Sequence, residues 1–377
     1  MENEAMIYVH VPFCVSRCVY CDFYSTTKGA EAKQQYVEAA CGELNARVNY
    51  LPTRHIKTIY FGGGTPSTLS TTQLRDILLC IIQNYDVSPK AEITIEANPD
   101  DMTDDWVKGI AGLGFNRVSL GVQSFNNETL RMLNRRHTAE QAQKAVLLLH
   151  NNGIFNISID LIYGLPGQAL EQFCADLDTA FTLPITHLSS YALSVEDGTV
   201  LARKINSGEW RNADEALYIS AFDALTNKAA AYGFEHYEIS NFAQKGYASQ
   251  HNSGYWDGTP YLGIGPGAHS FDGTNRRYNL PNLQSYLQSN GQPSFNIEEL
   301  TREERFDELV FTALRTKRGL SLRKVIDRYG QKWLNYLLTA AQPHLEAGRM
   351  QLIDDQLSIT RQGIMTSDDI MSDLMCG

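Results

Sequence analysis

The sequence predicts an α/β protein built on a parallel sheet, with a small, mostly helical module behind it. Three observations predict this. β-branched or aromatic runs alternate with amphipathic stretches through the first half of the chain, most of those runs are continuously apolar, and the pattern changes near residue 200 and again near residue 300. Continuous apolar runs suit parallel strands, which are buried on both faces.

The runs fall at residues 6–12, 56–61, 92–97, 117–123, 156–163 and 187–195. Between them, residues 30–49, 71–84, 103–112, 139–151 and 169–181 have helical character. Thr71 and Thr103 stand where an N-cap belongs, because a hydroxyl there accepts from the free amides of the first turn, and Gly112 and Gly153 stand where helices stop. This repeated β–α grammar within residues 1–200 points to a parallel sheet, either a partial barrel or a doubly wound sheet.

Residues 201–300 read as an extension of that core. A helix is expected over 211–232, followed by a Gly-rich stretch with six glycines between Gly254 and Gly273, which predicts an irregular lid or binding loop. Residues 301–377 read as a separate module: helices at 303–316, 321–328 and 331–346, then short strands at 350–353 and 356–359, a winged-helix pattern. Its 11 basic and 11 acidic residues balance, so the net charge of −11 belongs to the first 300 residues. The module's basic run (Arg315, Lys317, Arg318, Arg323, Lys324, Arg328 and Lys332) reads as a solvated or docking face rather than a nucleic-acid contact.

Composition narrows the function classes. A chain that is 43% hydrophobic and 20% charged folds, and an acidic surface does not hold nucleic acid or anionic membrane through bulk charge. The longest apolar run, residues 77–82, is far short of a membrane span, and the first residues lack the basic and apolar regions of a secretory leader. Seven cysteines are too few for a disulfide framework in 377 residues. A cytoplasmic protein is expected, with no specific nucleic-acid partner and no transmembrane segment. No coiled-coil pattern is exposed, so a monomer or weak dimer is expected.

The strongest chemical signal is Cys14, Cys18 and Cys21, spaced C-x3-C-x2-C directly after the first strand. Three soft thiolates so close together suit three irons of a [4Fe–4S] cluster, leaving the fourth iron without a protein ligand. A zinc site with His10 as fourth ligand is the alternative. The second signal is Gly62-Gly63-Gly64-Thr65-Pro66 after the second strand, where glycines let the backbone approach a ligand closely. Tyr8, His10, Glu96, Asn98, Gln123 and Asp160 also stand near strand ends, at the edge where parallel α/β folds bind ligands.

YVHVPFCVSRCVYCDF, with FGGGTPS, IEANP, SLGVQSF, RRH and DLIYGLPGQ, resembles the radical S-adenosylmethionine (SAM) superfamily, and more narrowly the oxygen-independent coproporphyrinogen III oxidase family. The resemblance spans nearly the whole chain. It implies a partial (β/α)6 barrel with a C-terminal helical, winged module, and a cluster whose open iron chelates SAM for reductive cleavage to methionine and a 5′-deoxyadenosyl radical. By the same resemblance Cys14, Cys18 and Cys21 are the cluster ligands and Tyr20 flanks the adenine. Tyr8, Gly63, Gly64 and Thr65 touch the methionine end, and Glu96 accepts from a polar group of SAM. Gln123, Arg135 and Asp160 match positions that line a second SAM molecule in the oxidases.

Two departures bear on the branch. The oxidases carry one more cysteine where this chain has Phe23, and they have an extension before the first strand. Conversely, His251-Asn252-Ser253-Gly254-Tyr255-Trp256 matches an H-N-x-x-Y-W signature. That combination resembles the heme chaperone branch, which binds heme and delivers it to heme-accepting proteins. Within that reading His251 is the expected heme ligand and His269, in the Gly-rich stretch, the second choice; Tyr255 and Trp256, four and five residues after His251, offer flat apolar surface, and Arg276 and Arg277 further along are the expected partners for the propionates. A chaperone is expected ahead of an oxidase that decarboxylates coproporphyrinogen III. Cys41, Cys80, Cys174 and Cys376 are assigned no chemistry.

Overall fold

The structure is a computed structural model and describes residues 4–376. Strands β1 (Ala5–Val11), β2 (His55–Gly63), β3 (Asp86–Ala97), β4 (Arg117–Gln123), β5 (Asn156–Tyr163) and β6 (His187–Ala192) pair in parallel, each with the next in sequence. The connections carry helices α1 (Ala30–Ala46), α2 (Thr71–Asn84), α3 (Asp104–Gly112), α4 (Asn127–Met132), α5 (Ala139–Asn151) and α6 (Leu170–Thr182). A strand order that never reverses has no switch point, so the sheet is a barrel wall rather than a doubly wound sheet. The wall stays open, because β1 and β6 take other neighbours instead of each other.

After β6 come α7 (Val200–Asn206), α8 (Glu215–Ala231), β7 (Phe234–Glu238), β8 (Asn241–Gln244), α9 (Gln250–Asp257), β9 (Tyr261–Ile264), β10 (His269–Phe271), β11 (Asn275–Asn279), α10 (Leu283–Leu287) and β12 (Phe295–Glu299). The Gly-rich segment expected to be an irregular lid is therefore a helix and three strands. β9 lies parallel to β1, with Met6 opposite Tyr261, and β10 to β12 continue the sheet as antiparallel strands. The glycines serve close approach here: Gly265 has φ +111, and a Cβ on it would stand 2.4 Å from the His10 carbonyl oxygen. Low strand propensity hid these strands, and pairing with β1 overrides it.

Local chemistry sets the helix ends. Ser70, not Thr71, caps α2, in a capping box with Gln73, while Thr103 caps α3 as expected. α3 runs through Gly112, and the left-handed turn comes at Gly114; Gly153 takes the left-handed conformation expected of it.

The strands alternate in a way their apolar content masks. Ile7, Val9, Ile59, Phe61, Ile95, Val118, Leu120, Ile157, Ile159 and Leu188 join the core shared with the helices. The intervening residues are polar and buried, among them His10, Thr58, Glu92, Thr94, Arg117, Ser119, Ser158, His187 and Ser189. By the alternation of a strand these lie on the opposite face, inside the barrel. α1 is tied to the added strands by a buried ion pair: Glu43 Oε1 accepts from Arg47 Nη1 at 2.9 Å, while Gly265 N, Asn279 Nδ2 and Tyr286 OH also donate to Glu43.

The last residues form α11 (Arg302–Leu314), β13 (Leu320–Ser321), α12 (Leu322–Tyr329), α13 (Gln331–Glu346), β14 (Met350–Ile353), β15 (Gln356–Ile359) and α14 (Ser367–Leu374). The expected pair of strands gains β13 to make a three-stranded antiparallel wing, and α14 closes the module's own core around Phe306, Leu337 and Leu374. Part of the basic run docks on the barrel: Arg315 lies over the rings of Trp256 and Phe311, Arg318 pairs with Asp257, and Lys317 reaches Glu235. No helix among the described residues is long and apolar enough to cross a membrane.

Candidate functional site

β1 delivers the chain to the barrel mouth, and the cysteine loop follows. Backbone bonds pin this loop at both sides: Cys14 N donates to Thr26 O at 2.9 Å and Thr26 N to Pro12 O at 2.7 Å, while Val19 N reaches Leu133 O at 3.3 Å. All three thiols line a cavity of about 440 Å³ at the C-terminal ends of the strands. Thr65 Oγ1 donates to Cys14 Sγ at 3.4 Å and Arg135 Nη1 to Cys18 Sγ at 3.3 Å. Burial, with Cys18, Cys14 and Asp22 nearby, pushes the Cys21 thiol up to about 11, so a cationic group beside it is what would hold it as thiolate.

The glycine turn forms the adjoining wall. Gly63 has φ +109, a conformation L side chains rarely adopt, and its N–H donates to Glu96 Oε2 at 3.1 Å. Tyr60 OH donates to the other oxygen at 2.7 Å. Burial raises the Glu96 carboxyl to about 7, against the pull of these two donors. Gln123 ends β4 at a register shift with φ +70, a strained backbone of the kind that gathers at binding sites. Arg135 also donates to Asn98 Oδ1 at 2.6 Å and to Gly121 O, while its Nε is buried with no hydrogen-bond partner among the described residues. Asp160 accepts from Ser119 Oγ at 3.2 Å, and burial raises its carboxyl.

Eleven of the thirteen expected site residues thus line one cavity: Cys14, Cys18, Cys21, Tyr20, Gly63, Gly64, Thr65, Glu96, Gln123, Arg135 and Asp160. Tyr8 is set back from it, hydrogen-bonded to His10 Nδ1 at 3.1 Å and stacked on Tyr60. Ser119 and Tyr191 also line the cavity and were missed; both continue the inward alternation of their strands, which was the available signal. Phe23 stands at the mouth, 63% exposed.

His251 does not line the cavity. It is 1% exposed, on α9, and stacks on Tyr60 with ring centroids 5.0 Å apart. Its Nδ1 is 2.7 Å from Thr58 Oγ1 and its Nε2 is 3.0 Å from Tyr255 OH. Burial, with Arg117 and Lys57 adding to it, lowers its pKa to about 3 and keeps the ring neutral. In this conformation both ring nitrogens have partners, so ligation of iron by His251 would require Thr58 or Tyr255 to give way. Arg276 and Arg277, the expected partners of the propionates, have different surroundings. The two alternate along β11: Arg276 pairs with Glu308 of the C-terminal module, and Arg277 lies over the Phe295 ring. His269 is exposed and stacked on Tyr278.

The zinc alternative lacks its fourth ligand in this conformation. His10 has Nδ1 on Tyr8 OH and Nε2 3.1 Å from Tyr24 O, and no set of three metal-ligating side chains among the described residues converges on one ion. A cubane spreads its thiolates wider than a single metal does. Three thiols around one open cavity, an arginine aimed at a sulfur with a free Nε, and a carboxylate beside a glycine turn fit a cluster with a charged, polar cofactor next to it.

Comparison with known proteins follows the same lines. Residues 8–180 match the model of the radical SAM superfamily, and residues 300–366 match the HemN C-terminal domain. The heme chaperone HemW of Lactococcus lactis is 36% identical over 330 residues, 87% of this chain and 86% of that protein. HemW of Bacillus subtilis is 31% identical over 96% of this chain and 97% of its own length. Among solved structures, coproporphyrinogen III oxidase (HemN) from Escherichia coli superposes with a TM-score of 0.87 at 24% identity, over 100% of this chain and 91% of that one, a likeness of fold.

Proposed function

The chain belongs to the radical SAM superfamily and, within it, to the family of the HemW proteins, and from that premise we propose that it is a heme chaperone that holds a [4Fe–4S] cluster and SAM at the barrel mouth, binds heme, and delivers it to heme-accepting proteins. The observation that carries the first half is the convergence of three thiols, the Gly63 turn, Glu96 and Arg135 on one cavity. Cys14, Cys18 and Cys21 would hold the cluster, with Arg135 donating to Cys18 Sγ and Thr65 to Cys14 Sγ. A cluster with one iron free of protein ligands supplies an electron and a chelation point for SAM. Glu96 would accept from a polar group of SAM, and Asp160 from its ribose hydroxyls. The second half is supported by the relatives named heme chaperones. We place the protein in the cytoplasm, where the cysteines outside the cluster, Cys41, Cys80, Cys174 and Cys376, persist as thiols.

Decarboxylation of coproporphyrinogen III is the second reading, favoured by the fold likeness and by Gln123, Arg135 and Asp160 lining the same cavity. Phe23, where the oxidases have a cysteine, weighs against it. The test is anaerobic incubation of reconstituted protein with coproporphyrinogen III, SAM and reductant, beside a heme titration followed by absorption. Heme binding without protoporphyrinogen formation is expected; turnover without heme binding would reverse the assignment.

A further inference from the structure

A second, larger cavity, about 970 Å³, opens between the barrel and the C-terminal module, away from the cysteines. It lies at the upper end of the range of cofactor pockets, about 300–1,000 Å³. α9 and β9 to β11 form one wall; α11 and α12 form the other. Trp256, Phe271, Phe311 and Tyr329 line it with flat apolar surface.

Its charges are unevenly matched. Asp257 is paired with Arg318 and Glu308 with Arg276, Glu304 accepts from Thr301 N at its own helix start, and Asp307 accepts from Cys376 N. Glu298 faces Arg276 across β11 and β12. Lys324 and Arg328, four residues apart on one face of α12, have no carboxylate partner among the described residues. Burial, with Arg328 and Arg318 close by, lowers the Lys324 ammonium to about 8. A half-buried cation beside other cations is a place prepared for an anion.

Arg305, which also lines the cleft, donates only to the Thr301 carbonyl, so flat apolar walls stand beside three cations without a carboxylate partner among the described residues, a setting that selects a flat, apolar ligand with carboxylates at its edge. We propose that this inter-module cleft is the seat of heme, with the macrocycle against Trp256, Phe271, Phe311 and Tyr329 and the propionates on Lys324 and Arg328. The proposal rests on the reading of the protein as a heme binder and assigns the place. It gives the H-N-x-x-Y-W helix a role without iron ligation by His251: His251 anchors α9 inside the barrel, and Trp256, five residues on, presents its ring to the cleft.

The test uses the full chain with reconstituted cluster, titrated with heme, metal-free protoporphyrin IX and heme dimethyl ester. Wild type is expected to bind the first two, and the ester at least tenfold more weakly. Lys324→Gln/Arg328→Gln is expected to weaken heme at least tenfold, leave the ester unchanged, and keep the cluster spectrum and SAM affinity, which report the fold. Exposed Arg328→Glu alone is expected to act in the same direction. Equal heme affinity in wild type and both variants would overturn the cleft as the seat while leaving heme binding intact. Absence of heme binding by wild type would remove the function on which the proposal rests.

Discussion

Cys14, Cys18 and Cys21 and Glu96 show how single residues here take their chemistry from burial and neighbours. Replacing any one of the three cysteines by Ala is expected to abolish the cluster's absorption and bring bound iron well below the about four per chain of the wild type. Cys80→Ala, a change in the α1–α2 contact, is expected to keep the spectrum. Glu96 predicts a pH dependence. Its pKa is raised to about 7, so its charged fraction falls about tenfold per pH unit below that value. SAM affinity, measured by equilibrium dialysis, is therefore expected to rise with pH up to about 7 and then level off, and to be flat across this range in Glu96→Gln. The folding linkage has the opposite sign. The folded state holds this proton more tightly than the unfolded chain, so the stabilisation it brings is full below the ordinary carboxylate range and is lost as pH rises through about 7. Substituting Gly63 would be a poor probe of cofactor binding, because a Cβ there would meet the His10 ring at 2.6 Å in a φ +109 backbone.

The elements are positioned by a few buried polar joints. Glu43 of α1 and Arg47, the residue that caps its C-terminus, reach the chain that follows α9: Arg47 also donates to Gly263 O at 2.8 Å and to Ser270 Oγ at 2.9 Å. Glu43→Ala would leave Arg47 buried without its counter-charge and is expected to cost about 3–5 kcal/mol in denaturant unfolding. Glu43→Leu with Arg47→Met is expected to cost less than the single change, because no buried charge is then stranded. α9 is held by a comparable joint. Glu92 accepts from the amides of Gln250 and His251 at 3.1 and 3.0 Å, a carboxylate at the positive end of a helix. Asp176 of α6 grips the turn after β4 in the same manner, accepting from Ser124 Oγ at 2.7 Å and Phe125 N at 2.8 Å.

Across the whole molecule, the C-terminal module completes the outer cleft, so its docking decides how that cleft is shaped. Arg315 lies between Trp256 and Phe311, and its carbonyl accepts from Ile239 N at 3.1 Å. Such cation–π contacts contribute about 0.5–2 kcal/mol each. Arg315→Ala is expected to speed hydrogen exchange at residues 237–241 and in α9 while leaving the core of β1 to β6 protected. Arg318→Ala is expected to change little, since its partner Asp257 and its own side chain are exposed to water.

By itself the sequence determined the six parallel strands, five of the six helices between them (α4 at Asn127–Met132 gave no signal), the winged module and the residues at the barrel mouth. These depend on local periodicity, on N-caps such as Thr103, and on motifs whose residues are neighbours in the chain, as Cys14, Cys18 and Cys21 are. Tertiary structure decided that the strand order never reverses, that the glycine-rich segment joins the sheet beside β1, and that the polar residues of the strands turn inward. It also decided His251. Nothing in H-N-x-x-Y-W discloses that Thr58, 193 residues earlier, meets the ring nitrogen that Tyr255, one turn on, leaves open. Lys324 and Arg328 likewise read as part of a solvated basic run until the modules meet around them. In each case a side chain's partner, and so its charge and availability, is set by contacts between distant segments, which local pattern does not record.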